Sequence, residues 1–153
     1  MKTRLIISSL FIITILAACR SAKPSPSLTA EIDNEFTLAP NQSVAITSTD
    51  LTIIFNSVLS DDRCPSEVEC VASGPVTVSL SIQQGNSSAT DFILQTFTDQ
   101  NGRSPNVQFE GVTNRAEVGN YLIRIASVTP YPEDPTVKLE PSEYRLVLVV
   151  SKK

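Results

Sequence analysis

The stretch Val76-Thr77-Val78-Ser79-Leu80-Ser81-Ile82-Gln83 decides the fold. Its apolar residues occupy every second position and its hydroxyl and amide residues the positions between. Only an extended chain turns a period of two into one buried face and one wet face, so this is a β-strand with one side on a core. Weaker versions of the signal recur at Phe36 to Ala39, Ser43 to Thr47, Leu51 to Leu59, Asp91 to Phe97, Val107 to Val112, Tyr121 to Val128 and Tyr144 to Ser151. Short β-rich runs separated by Pro, Asn, Gly and Asp clusters read as an all-β chain, an antiparallel β-sandwich of the immunoglobulin-like kind with about eight strands. No ten-residue window carries an apolar stripe at helical spacing, while Val, Ile and Thr abound, so helix content is expected to be low.

Two of the runs are apolar on both faces. In the last, Tyr144, Leu146, Leu148 and Val150 form one face while Val147 and Val149 sit on the other; Leu51-Thr52-Ile53-Ile54-Phe55 has the same character. Strands of this kind belong in the interior of a sheet or under cover on both sides. Turn chemistry supports the partition. Ala39-Pro40-Asn41-Gln42 and Gln84-Gly85-Asn86-Ser87 are turn sequences, and residues 99–105 form a longer polar loop. Pro130-Tyr131-Pro132-Glu133-Asp134-Pro135 has too few N–H donors for a regular ladder and reads as a stiff surface connection.

Composition narrows the function classes. The 153 residues hold 12 basic and 16 acidic side chains and no histidine. A net charge of −4 argues against nucleic acid as a partner, because phosphate binding needs clustered Lys and Arg. Without histidine, serine triads, two-histidine zinc sites and Cys-His nucleophiles are excluded in their usual forms. No phosphate-cradling glycine loop, Cys-x-x-Cys or internal repeat is present. The reading is a chain that is not an enzyme and carries no cofactor and no metal site.

The amino terminus reads as an address. Lys2 and Arg4 form a basic start, Leu5 to Leu16 is an almost unbroken apolar run, and Leu16-Ala17-Ala18-Cys19 follows. The apolar run is too short for a mature membrane span, which needs about 20 residues. The tetrapeptide resembles the bacterial lipobox, an apolar residue and two small ones ahead of a cysteine. The resemblance implies that residues 1–18 are a lipoprotein signal peptide and that Cys19 receives a diacylglycerol, with a further acyl chain such as palmitate on the new amino group. Each buried methylene contributes about 0.8 kcal/mol, so two or three chains make a durable anchor. The expected location is the cell membrane or outer membrane, facing the periplasm or the exterior. Arg20, rather than aspartate, after the cysteine leans toward the outer membrane. Residues 19–34, with Pro24 and Pro26 among serines, read as the lipidated cysteine and a tether, of which Leu28 to Ile32 is the part able to pack as an edge segment instead. The sandwich is placed at residues 35–153.

With Cys19 committed to lipid, Cys64 and Cys70 remain as a pair in an oxidising compartment, and a disulfide is the natural reading. The surrounding Asp62-Arg63-Cys64-Pro65, the second cysteine, Val71-Ala72-Ser73-Gly74 and the alternating strand that follows resemble a family of uncharacterised bacterial exported proteins and lipoproteins, with further similarity at Leu94 to Thr96, Thr129 to Pro132 and Glu143 to Arg145. The resemblance runs from about Phe36 to the C-terminus and implies a shared fold; no activity comes with it.

The candidate binding loop comprises Asp61, Asp62, Arg63, Glu67 and Glu69, with Tyr131 as an exposed aromatic. Sandwiches mount such loops on a rigid core. The expected role is non-catalytic binding or scaffolding in the cell envelope, with the membrane reached through the lipid and an envelope protein as the possible partner. Two alternatives attach to the loop. Arg63 beside a disulfide resembles the way protease inhibitors present a basic residue, with rigidity as its merit. The four acids supply enough oxygens for a Ca²⁺ module, though not at the spacing of a known calcium loop. The plain reading is that Arg63 pairs with a nearby carboxylate and fixes the loop. Tyr121 and Tyr144, at strand-periodic positions, are expected in the core with hydrogen-bonded hydroxyls.

Overall fold

The computed structural model describes residues 28–153; the expected signal peptide, Cys19 and the first part of the expected tether lie outside the described residues. Among the described residues nine strands form two sheets: β1 Leu28–Ala30, β2 Glu35–Leu38, β3 Ser43–Ile46, β4 Leu51–Asp61, β5 Val76–Gln84, β6 Thr90–Thr96, β7 Arg115–Val118, β8 Tyr121–Thr129 and β9 Arg145–Lys152. One sheet has the order β1-β3-β4-β5-β6 and the other β2-β9-β8-β7. All pairings are antiparallel except β1 with β3. The sheets face each other across one apolar cluster fed by both, including Phe55, Val78, Leu80 and Leu94 from the first and Leu38, Ile123, Ile125 and Leu148 from the second. The all-β sandwich is therefore the fold. Its connectivity is two meanders, β3 to β6 and β7 to β9, with β2 added beside β9. An immunoglobulin domain orders its strands ABED and CFG instead.

The alternation read from β5 is realised: Val76, Val78, Leu80 and Ile82 are buried while Ser79, Ser81 and Gln83 are only partly covered. The two runs with apolar residues on both faces, in β4 and β9, each lie between two neighbours in their own sheets. Both short turns close as expected, Gln42 donating to the Ala39 carbonyl and Ser87 to that of Gln84.

Three boundaries differ from the sequence reading. Residues Leu28–Ala30 pair with Val44–Ile46 as a short edge strand, so the ordered body includes the segment left open at Leu28 to Ile32. Val107 to Val112 is not a strand. Phe109 accepts a turn bond from Val112, Gly111 takes φ +77°, and Asn114 ties the Val107 carbonyl back with its side-chain amide. The strand lies just beyond, at Arg115–Val118, four residues with two charges.

Candidate functional site

At one end of the sandwich, β4 runs past β3 and reaches Asp61, where the chain leaves the sheet. Two register shifts, between Phe55 and Ser57 and between Val58 and Ser60, let this overhang bend, since each bulge twists the bulged strand locally. The loop from Asp62 to Pro75 then folds back on itself. Asp62 donates to Pro75 and accepts from Gly74, and a side chain at Gly74 would meet the Asp62 carbonyl at 2.6 Å. Cys64 and Cys70 form the expected disulfide, with Cα atoms 6.0 Å apart. The loop docks on the proline-rich segment after β8. Ser66 donates its N–H to the Pro132 carbonyl and Glu67 donates to that of Glu133, both at 3.0 Å.

Arg63 lies beneath this loop, only 3% exposed. Its Nε and Nη2 take both oxygens of Asp61, at 2.7 and 2.5 Å. Nη1 donates to the Val128 carbonyl at 2.9 Å and reaches Thr98 Oγ1 at 3.4 Å, and Nη2 also donates to the Pro130 carbonyl at 2.8 Å. The guanidinium carbon stands 4.9 Å from the centre of the Tyr131 ring, and the Tyr131 hydroxyl donates to the Cys64 carbonyl at 2.8 Å. Tyr144, just ahead of β9, donates its hydroxyl to Asp61 Oδ2 at 3.1 Å. Burial, with the Asp61 carboxylate and its hydrogen bond adding to it, pushes the Tyr144 hydroxyl up to about 12. A buried guanidinium is sustained only when its donors are satisfied and a counter-charge is close, and Arg63 meets both conditions. Among the described residues no buried side-chain nitrogen or oxygen lacks a partner.

This geometry reassigns several residues of the candidate loop. Arg63 is not presented to solvent, so the inhibitor reading loses the side chain it depends on; the pairing with a carboxylate is what the loop uses instead. Tyr131 is half-buried rather than free, because Arg63 covers one face of its ring and its hydroxyl is spent on Cys64. Asp61 belongs to the brace. Asp62, Glu67 and Glu69 remain exposed, and among the described residues no group of three or more Asp, Glu or Cys is placed to hold a metal ion. Tyr144 is a buried residue with a hydrogen-bonded hydroxyl, as expected, while Tyr121 sits half-buried at the margin of the core.

Sequence reasoning missed the cleft beside the brace. A hollow of about 370 Å³ opens between the β4 overhang and the segment from Pro132 to Pro141, with the exposed Leu59 and Val137 in its lining together with Lys138, Asp61 and Tyr144. Its walls come from segments some 75 residues apart, and no local pattern marks such a meeting. No helix among the described residues is long and apolar enough to cross a membrane. No family model matches the chain, and no match is found among curated proteins or solved structures.

Proposed function

We propose that the chain is a lipid-anchored protein of a bacterial cell envelope, held at the cell membrane or outer membrane through Cys19, whose sandwich has a non-catalytic binding or scaffolding role. The observation that carries the proposal is Leu16-Ala17-Ala18-Cys19 after a basic start and an apolar run. The Cys64–Cys70 disulfide supports it, because such bonds persist in exported, oxidising compartments. The acidic composition supports an acyl anchor over a basic surface patch, since anionic headgroups repel a negatively charged body. Within the body, the disulfide loop and the walls of the adjacent cleft are the natural contact surface. They combine exposed apolar side chains with a backbone held from beneath by Arg63.

The test is mass spectrometry of the N-terminal peptide together with detergent phase partitioning of the full chain. The expected result is a diacylglyceryl cysteine at position 19 as the first residue, and a Cys19→Ser protein that moves from the detergent to the aqueous phase. A Cys19→Ser protein that stayed membrane-bound would refute the anchor. Crosslinking in envelope membranes, followed by identification of what is captured at the loop, tests the binding role; a surface that captures nothing would refute it.

A further inference from the structure

The two sheets have four edges, and three of them are guarded. β1 is three residues long; β2 is four residues long and carries Glu35, held by Arg103 through two contacts of 2.8 Å; β7 is four residues long and carries Arg115 and Glu117, the latter paired with Lys153. Short length and charge are the usual ways a strand edge is kept from pairing with another chain. The fourth edge, β6, is seven residues long, reads Thr90-Asp91-Phe92-Ile93-Leu94-Gln95-Thr96 and has one charge.

The direction of its backbone groups follows from a single bond. Gln95 donates its N–H outward to the Thr113 carbonyl at 2.8 Å, so Gln95 and Thr77 are a non-hydrogen-bonded pair of the β5–β6 ladder. Antiparallel pairs alternate, so Ile93 and Asp91 also turn their N–H and C=O away from β5, while Leu94 and Phe92 turn theirs toward it. Among the described residues neither Asp91 nor Ile93 has a backbone partner on that outer side. Both side chains are exposed, Ile93 at 63%.

We propose that the Asp91–Ile93 edge of β6 pairs antiparallel with the same edge of a second copy of this chain, joining two five-stranded sheets into one across a two-fold axis at Phe92. The register follows from the free groups. With Phe92 on the axis, Asp91 of each copy faces Ile93 of the other as a hydrogen-bonded pair, giving four interchain bonds. The charge pattern selects this alignment. Centring on Asp91 would set carboxylate against carboxylate, and centring on Ile93 would call on Gln95, whose N–H is already taken. The chosen register places each carboxylate opposite an isoleucine and sets Phe92 against its twin as a non-hydrogen-bonded pair, with Cα atoms about 4.5 Å apart. The bond from Gln95 to Thr113 limits the length of the ladder, and because a two-fold axis uses the same edge of both copies the contact closes as a dimer. The inference is independent of the lipid anchor, since the edge is the same with or without it.

The experiment places a photo-reactive benzoyl-phenylalanine at position 92, where it replaces an aromatic residue and keeps Asp91, in the full chain and irradiates it in membranes and in detergent solution. The expected product has twice the chain mass, with the label joined to the segment around Phe92 of the second copy. Ile93→Pro removes the outward donor without touching the β5 ladder, and Ile93→Lys adds charge to the edge without altering the backbone; each should lower the dimer yield at least tenfold. Disulfide formation and an unchanged far-UV spectrum report that the variants fold, and if Ile93→Pro does not, Ile93→Lys alone decides. Absence of the dimer product, a dimer indifferent to the folded variants, or a label joined to a different protein would each overturn the proposal. Cys19→Ser should leave the crosslinked residues unchanged, which separates this result from that of the anchor.

Discussion

Replacing Arg63 by alanine should be the most damaging single change in the disulfide end of the molecule. The substitution removes both contacts to Asp61, the bonds to the Val128 and Pro130 carbonyls and the cover over Tyr131. Asp61, whose side chain is only 10% exposed, is left with the Tyr144 hydroxyl and the backbone N–H of residue 63, and with no counter-charge. Breaking a buried ion pair from one side costs about 3–5 kcal/mol, because the remaining charge stays desolvated. For a domain of this size, each kcal/mol moves the melting temperature by about 2–8 °C, so a drop of at least about 6 °C is expected. The assay is urea unfolding with the disulfide intact, comparing wild type, Arg63→Ala, Asp61→Ala and the double variant. The pair should be strongly coupled: once Asp61 is gone, losing Arg63 should cost about 2 kcal/mol less than it does in the wild type. Arg63→Lys keeps the charge but loses the fork and should fall in between. A loss below about 1 kcal/mol for Arg63→Ala, the cost of a surface pair, would refute the brace.

Three further outcomes follow from the same geometry. The folded Tyr144 hydroxyl titrates near 12, above the ordinary value of 10.0, so its stabilising contribution is intact below pH 10 and is lost as pH rises from there toward 12. Tyr144→Phe should flatten that part of the stability curve, and an identical alkaline slope in the variant would show that another group is responsible. Replacing Cys64 and Cys70 together by serine should cost about 2 kcal/mol by the loop-entropy argument while the far-UV spectrum keeps its β signature, since Ser66 and Glu67 still dock on Pro132 and Glu133; global unfolding would contradict that. Gly102→Ala should destabilise by about 2–3 kcal/mol in a thermal melt, because φ is +76° and the added carbon would stand 2.4 Å from the Val128 carbonyl; a neutral result would mean that this loop does not need its close approach to β8.

How far the fold could be read depended on how local its causes were. β5 was legible because its period of two is written in neighbouring residues, and the interior placement of β4 and β9 was legible from apolar residues on both faces. Val107 to Val112 misled because it imitates that period, yet Gly111 at positive φ and the Asn114 side chain turn it into a loop. β7 was missed because two of its four residues are charged, and β1 stood only as the alternative to a tether because its pairing with β3 is not a local property. The disulfide was legible by counting cysteines. Of the brace only the pairing of Arg63 with a nearby carboxylate was legible, Asp61 being a near neighbour; Thr98, Val128, Pro130, Tyr131 and Tyr144 lie 35 or more residues further along, and only the closed sandwich brings them together. Tyr131, flanked by prolines, looked solvent-facing for the same reason.

The position of Arg63 also bears on how the two layers slide. Apolar contact is nearly indifferent to direction, so two sheets held by it alone can shift past each other by a fraction of a residue and regain almost the same buried area. Arg63 is bonded at once to Asp61, the end of a strand in one layer, and to Val128, in a strand of the other. Hydrogen bonds fail within a few tenths of an ångström and a few tens of degrees, so this rivet removes the shear that the core would tolerate. Motion in the sandwich should therefore be graded along its length, smallest beneath the disulfide loop and larger toward the turns at Gly85 and Gly119.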